Sequence, residues 1–489
     1  MKKSNTFKRI CCTLLAALSV GTMFSASACN NVEFKDLEIP EGGYDGSAVT
    51  LTFYHTMGQD LSAQLVKALD EFKKLYPNIT VDQKQVGGYD DVRDKIKKEL
   101  IVGSQPNIAY CYPDHVASYN VAGGVQSLDD LIASTIVEER ADGTTETLGL
   151  TAEQIADFIP GYYNEGRAFG DLNGDGVDEM YTMPFSKSTE VLYYNKTFFE
   201  ENNLTVPTTW DEMEAVCAQL KQLDPDCIPL GYDSESNWFI NMCEQYESPY
   251  TSANGEEKFL FDNETNWNFV AKFREWYQKN YVTTQEIFGA YTSGLFTNIP
   301  TDKNPTRSYM SIGSTAGATK QRPAKGNTGY PFEVGIATIP QVNPEKPKVI
   351  SQGPSVCIFK KDNPQEVIAS WLLVKYLTTD IVFQGDFSMT SGYMPVIQSV
   401  GEDPFYKNQF LKKADGYDYV AALSVKVALS QADAYYVSPA FRGSSVARDQ
   451  VGLLLRNAFT KQPALTGTAA YDYIKSLFKT AVEECKYQA

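Results

Sequence analysis

From Val49 onward the chain switches between two hydrophobic periods. Val49, Leu51 and Phe53 alternate with Thr50, Thr52 and Tyr54, the period of two that predicts a strand. Leu61, Leu65, Val66, Leu69 and Phe72 then fall adjacent or three to four apart, giving a helix one apolar stripe that Pro77 ends. Ile79 and Val81 open a second strand. Val92, Ile96 and Leu100 predict a helix over 90–101, and 108–111 reads as a buried strand. Strand and helix alternating in this rhythm predict an α/β domain with a mainly parallel sheet. After Phe158 the alternation returns, with strands at 190–194, 308–312 and 334–339 and helices over 210–223, 269–279, 364–377 and 446–459.

The 489 residues exceed what one core ordinarily organises and suit two lobes. Ahead of the first strand the pattern changes. Lys2, Lys3, Lys8 and Arg9 precede an apolar run over 10–24, then Ser25, Ala26, Ser27, Ala28 and Cys29. That order of basic, apolar and small residues is a secretory signal. A Cys at the cleavage point predicts a lipoprotein: residues 1–28 are removed and Cys29 carries the lipid, although Ala26 stands where Leu is usual. An ordinary cleaved signal with an incidental Cys is the other reading. Both take the chain out of the cytoplasm, and the first anchors it to the cell membrane. Residues 29–48, with Pro40, Gly42, Gly43 and Gly46, read as a flexible tether. No later stretch has the roughly 20 apolar residues of a membrane span.

Charge narrows the function. Acidic residues outnumber basic ones 61 to 43, a net charge of −18, which excludes nucleic acid as a partner. There are only two histidines, His55 and His115, and the chain has no G-x-S-x-G, P-loop or H-E-x-x-H motif. No carboxylate pair stands out as a glycosidase pair. Beyond the signal, Cys111, Cys217, Cys227, Cys243, Cys357 and Cys485 lack C-x-x-C spacing and read mostly as buried thiols.

Four segments carry a resemblance: Leu51 to Met57, Met183 to Lys196, Pro207 to Glu212, and Ser391 to Val396 with its T-G-Y-x-P-like pattern. Together they resemble the extracellular solute-binding proteins of ABC importers, in the branch of maltose- and glycerol-3-phosphate-binding proteins. The resemblance implies a two-lobed α/β fold of the type II periplasmic-binding-protein kind, with discontinuous lobes about a central cleft. On that pattern 49–156 with 352–398 forms one lobe and 157–351 with 399–489 the other. It also implies a cleft built from Tyr89, Asp114, Ser188, Trp210, Trp238, Ser314, Gly353, Tyr393 and Arg442. These types suit the task. Serines and an open Gly amide approach ligand oxygens, Arg forks onto a phosphate, aromatic faces cover C–H surfaces, and an acid accepts from hydroxyls. Each also has a structural reading. Trp210 after Thr209 marks a helix start, and Arg442 near a helix start reads as a solvated charge.

A separate loop has oxygen donors at the spacing of a calcium loop. Asp171, Asn173, Asp175 and Glu179 would supply side chains and Val177 its carbonyl, with Gly176 at the sixth position. The acid expected at position twelve is replaced by Thr182. The alternative is a tight Asn-Gly/Asp-Gly turn without metal. Any such Ca²⁺ would be structural, and no cofactor is required.

The functional expectation is a monomeric, non-enzymatic lipoprotein. It would bind a sugar or glycerol-phosphate ligand (oligosaccharide, glycerol phosphate or its diester) and deliver it to an ABC permease. Two rivals stand beside it: a secreted enzyme acting on glycans, and a surface sensory or adhesive protein on the same fold.

Overall fold

The computed structural model describes residues 33–488 apart from 168, 171–175, 255, 304, 328 and 412–418. Residues 1–28 and Cys29 lie outside the described residues.

The first strand, Val49–His55, runs parallel to both Ile79–Gln85 and Ile108–Cys111, with Val49 opposite Ile79 and Phe53 opposite Ile108. Ser355–Ile358 joins antiparallel to Ile108–Cys111, and Met183–Pro184 closes a five-stranded sheet. Every residue of Ile108–Cys111 is buried, because helices cover both faces of this sheet. The helix Gln59–Leu75 turns Leu65, Ala68 and Phe72 into the core on one side, and Tyr89–Val102 turns Val92, Ile96 and Leu100 into the core on the other.

A second sheet carries the other lobe. Its order is Tyr435–Tyr436, Val349–Gln352, Ser188–Asn195, Met310–Ser314, Leu230–Tyr232 and Val282–Thr284, with Val334–Thr338 also pairing with Ser188–Asn195. The helices Trp210–Leu223, Glu235–Gln245, Glu264–Gln278, Ser444–Thr460 and Gly467–Gln488 bury their apolar faces in the second core. The fold is thus the expected α/β architecture in two lobes.

The lobes are joined where the chain leaves one sheet and enters the other. Outward it passes from Pro184 to Ser188; on the return it passes from Gln352 to Ser355. A third connection is the helix Tyr419–Ser430, whose Val420 and Ala421 pack with the second lobe while Val425 and Ala428 pack with the first. Lys187 sits on the outward crossing and is fully buried. Its Nζ meets the Glu165 carboxylate and donates to the Gly353 carbonyl and the Ser355 hydroxyl, each at 3.2 Å. Its backbone pairs with Met394, at 3.1 Å and 2.6 Å. One ammonium therefore ties both crossings to the first lobe. Gly353 has φ +114°, and a Cβ there would stand 2.6 Å from the Ser186 carbonyl, so the crossings pack backbone to backbone.

Three assignments differ from expectation. Phe158, Tyr162, Met180 and Met183 belong to the first lobe, not the second, because they bury in the first core and Met183–Pro184 adds a strand to its sheet. Val400 and Tyr406 bury there too. The segment read as a tether is docked along the first lobe from Phe34 onward. Leu37, Ile39 and Tyr44 pack on the first core, the Tyr44 amide donates to Glu138 at 3.0 Å, and the Asp45 amide donates to Gln365 at 3.0 Å. Its spaced apolar residues outweigh its prolines and glycines. The six cysteines of the body are buried free thiols, with Cys111 and Cys357 Sγ atoms 3.8 Å apart. No helix among the described residues is long and apolar enough to cross a membrane.

The crossing tie is testable. Lys187→Met should cost about 3–5 kcal/mol of unfolding free energy, because it leaves Glu165 buried without its cation. Adding Glu165→Leu should recover most of that loss. Urea midpoints of the single and double variants decide, and equal losses in both would contradict the account.

Candidate functional site

Both sheets end at one cleft. Tyr112 follows directly on the strand Ile108–Cys111, Asp233 follows Leu230–Tyr232, and Ser314 ends Met310–Ser314. The carboxyl ends of strands are where α/β sheets leave room for ligands. The crossings form the floor through Ser188, Gln352 and Gly353. The cavity over this floor is about 400 Å³, within the 300–1,000 Å³ usual for a small-molecule site, and it adjoins another of about 550 Å³ that shares Tyr89, Tyr112, Asp233 and Arg448.

The first lobe contributes phenols. Tyr89 opens the helix Tyr89–Val102, its ring centroid lies 4.2 Å from that of Tyr112, and its hydroxyl is 3.2 Å from that of Tyr393. Tyr110 lies beneath, with its hydroxyl 3.1 Å from Ser186 Oγ. Burial pushes Tyr89, Tyr110, Tyr112 and Tyr393 upward from the ordinary phenol range, so all stay protonated and able to donate. Asp114 stands half-buried in the first turn of Pro113–Asn120.

The second lobe contributes a polar lattice. Glu190 is buried on Ser188–Asn195. Its carboxylate accepts from Tyr232 Oη at 2.5 Å, Asn237 Nδ2 at 2.9 Å and Asn241 Nδ2 at 2.7 Å. Asn237 Nδ2 also donates to Gln352 Oε1 at 2.8 Å, and Asn237 Oδ1 accepts from the Arg448 guanidinium. Arg448 is therefore oriented from behind and faces the cavity. Asp233 is held by the Thr292 amide at 2.6 Å and hydroxyl at 2.7 Å. Burial is the main cause raising Asp233, and it raises Glu190 to about 7 against the opposing bonds from Tyr232 and Asn237. At the lip, Arg93 Nη1 of the first lobe reaches Asp449 Oδ2 of the second at 3.4 Å.

The structure brings Tyr89, Asp114, Ser188, Ser314, Gly353 and Tyr393 to the cleft. Three expected residues are elsewhere. Trp210 is 3% exposed and Trp238 fully buried; their rings stack with centroids 6.1 Å apart in the second core. Trp210 Nε1 is satisfied by Gln245 Oε1 at 2.8 Å, and the Thr209–Glu212 capping box makes Trp210 a packed helix start. Arg442 is exposed, ahead of the Gly443 cap at φ +100°. The arginine of the cleft is Arg448, one turn inside Ser444–Thr460 and four residues after Ser444, on the same helix face. Glu190, Asp233, Asn237 and Tyr112 were also missed. Glu190 had a signal: it is an acid inside an otherwise strand-like run. Asp171, Asn173 and Asp175 of the calcium loop lie outside the described residues; Val177 is exposed and Glu179 buried.

Glu190 gives a pH prediction. Its folded pKa is raised, so the folded chain holds the proton more tightly than the unfolded one. Its contribution is fully present below the ordinary value of 4.5 and is lost as pH rises to about 7. The loss is about 3 kcal/mol. Urea unfolding at pH 4.5 and pH 7.5 should show that fall in the wild type and not in Glu190→Gln. Parallel pH dependences would contradict the assignment.

Comparison with known proteins places this geometry. Residues 67–414 match the family model for bacterial extracellular solute-binding proteins. The chain is similar to the maltotriose-binding protein of Pyrococcus abyssi, 23% identical over 373 residues, covering 73% of this chain and 69% of that one. It is 22% identical over 191 residues to the sn-glycerol-3-phosphate-binding periplasmic protein UgpB of Shigella dysenteriae, 38% of each chain. Among solved structures, UgpB from Mycobacterium tuberculosis in complex with glycerophosphocholine superposes with TM-score 0.69 at 17% identity, over 89% of this chain and 99% of that one. The GacH receptor of Streptomyces glaucescens gives 0.67 at 15% identity, over 89% and 99%. With a matching fold and a cleft between its lobes, the chain belongs to the family of bacterial extracellular solute-binding proteins.

Proposed function

We propose that this protein is the solute-capturing, non-enzymatic component of an ABC importer, held at the cell membrane by lipid on Cys29. As a monomer it closes two lobes on one carbohydrate-class solute, an oligosaccharide or a glycerol phosphate or its diester. It then presents the closed form to a permease. The observation that carries this reading is the convergence of phenols from one lobe and Arg448, Asp233 and Ser314 from the other on a single cleft. Closure about a ligand then needs only motion at the crossings. Tyr rings cover the C–H faces of a polyol, carboxylates accept from its hydroxyls, and Arg448 donates to a phosphate or hydroxyl oxygen. Relatives that bind maltotriose or glycerol 3-phosphate by name support the class of solute.

A carboxylate raised to about 7 in a cleft invites an enzymatic reading. Both oxygens of Glu190 are engaged, however: Oε1 by Asn237, and Oε2 by Tyr232 and Asn241. That arrangement favours a scaffold over a proton donor and supports binding without turnover.

Isothermal titration of the mature chain with maltotriose, sn-glycerol 3-phosphate and glycerophosphocholine tests the reading. At least one should bind without being consumed. Arg448→Ala should weaken it by about ten-fold or more, as expected for loss of a charged hydrogen bond, while Arg442→Ala should leave it unchanged. Turnover, or no binding by any carbohydrate-class solute, would overturn the proposal. For the anchor, Cys29→Ala should move the protein from the membrane fraction to the medium; unchanged membrane association would contradict lipidation there.

A further inference from the structure

Beside the main cleft, past Arg448, lies a second and smaller chamber of about 60 Å³. It shares Tyr112, Gln352 and Arg448 with the cleft, so the two communicate. Its volume is several times the roughly 10–15 Å³ that admits one water, and far below the 300–1,000 Å³ of a whole ligand pocket.

The lining of this chamber is unusual in one respect. Tyr250 Oη, Thr251 Oγ1, Ser351 Oγ and Ser438 Oγ all line it, and all four are buried oxygens without a hydrogen-bond partner. Tyr250 is 6% exposed and Ser351 5%. A buried hydroxyl left unpaired is costly, and orphaned groups are ordinarily few and scattered. Here four surround one space. Ile240, Ile350, Val437 and Ala440 supply apolar wall, and the carboxylates of Asp114 and Glu165 also line the chamber. Burial raises the Tyr250 phenol well above its ordinary range, so it remains a neutral donor.

We propose that this chamber is a terminal subsite that takes a small, uncharged, hydroxylated end of the solute: a two- or three-carbon polyol fragment rather than a sugar ring. This rests on the solute-binding reading of the same cleft. Hydroxyl groups both donate and accept, so a polyol end satisfies four facing hydroxyls whichever way each rotates. A phosphate does not fit the chemistry: among the lining residues the only cation is Arg448 at the mouth, Asp114 presents a carboxylate, and the Glu165 carboxylate is already matched by Lys187. Arg448 at the mouth would hold whatever follows the terminal fragment, and the ring or anion would occupy the larger cavity.

Two matched probe pairs separate the possibilities by titration. Maltotriitol and maltotriose differ in an open-chain against a closed-ring end. sn-Glycerol 3-phosphate and methyl phosphate differ in the presence of a glycerol end. In whichever pair binds, the polyol-ended member should bind about ten-fold tighter, the worth of one or two hydrogen bonds. In Tyr250→Phe/Ser438→Ala that ratio should fall to within about two-fold. A crystal structure of the tighter complex should show carbon-bound hydroxyls in the chamber. Binding without preference, a preference that survives in the double variant, or a chamber holding only ordered water would overturn the subsite and leave the solute-binding reading standing. Binding of neither member of either pair would count against both.

Discussion

Lys187 is a cation with no access to water, and its Nζ is shared among the Glu165 carboxylate, the Gly353 carbonyl and the Ser355 hydroxyl. Taking an ammonium out of water costs several kcal/mol, recovered only when partners surround it. The outward crossing supplies Lys187 itself, and its partners come from the return crossing and from the first lobe. The same segments carry Ser188, Gln352 and Gly353, which floor the cleft. Satisfying one buried charge thus fixes where the second sheet begins relative to the first. The tight approach at Gly353, where no side chain fits, follows from the same packing.

Above this floor the cleft works by division of labour. The first lobe supplies phenols kept neutral by burial, and the second supplies a rigid lattice in which Glu190 holds Asn237 and Asn237 holds Arg448. Arg448 is prepared before any solute arrives, which lowers the ordering cost of binding. The overall charge of −18 does not prevent this, because the arrangement is local. Across the lip, the Arg93–Asp449 contact joins lobe to lobe through partly exposed side chains. Exposed pairs contribute little to stability, so such a contact suits a motion that must reverse.

Much of the fold was legible in the alternation of periods. The strand Val49–His55, the helices that follow it and the buried run Ile108–Cys111 stand where the pattern put them. The phenols and serines of the cleft were found through resemblance, since Tyr89, Ser188, Ser314 and Tyr393 do lie there. What failed did so for physical reasons. Trp210 and Trp238 are large aromatics whose burial in a core is the default, and only packing distinguishes that from a ligand face. Arg442 and Arg448 differ by whether a helix has begun, which depends on the backbone of Gly443. The docking of residues 34–47 and the placing of Phe158, Tyr162, Met180 and Met183 depend on tertiary contacts that no local pattern encodes.

The account stands or falls on a solute held by both lobes at once. A crystal structure of the mature protein with a saccharide or glycerol ester that stabilises it tests that directly. The account predicts density in the interlobe cleft, within hydrogen-bond distance of Arg448 on one side and packed on Tyr89 or Tyr112 on the other. A solute bound outside the cleft, or touching one lobe alone, would contradict it.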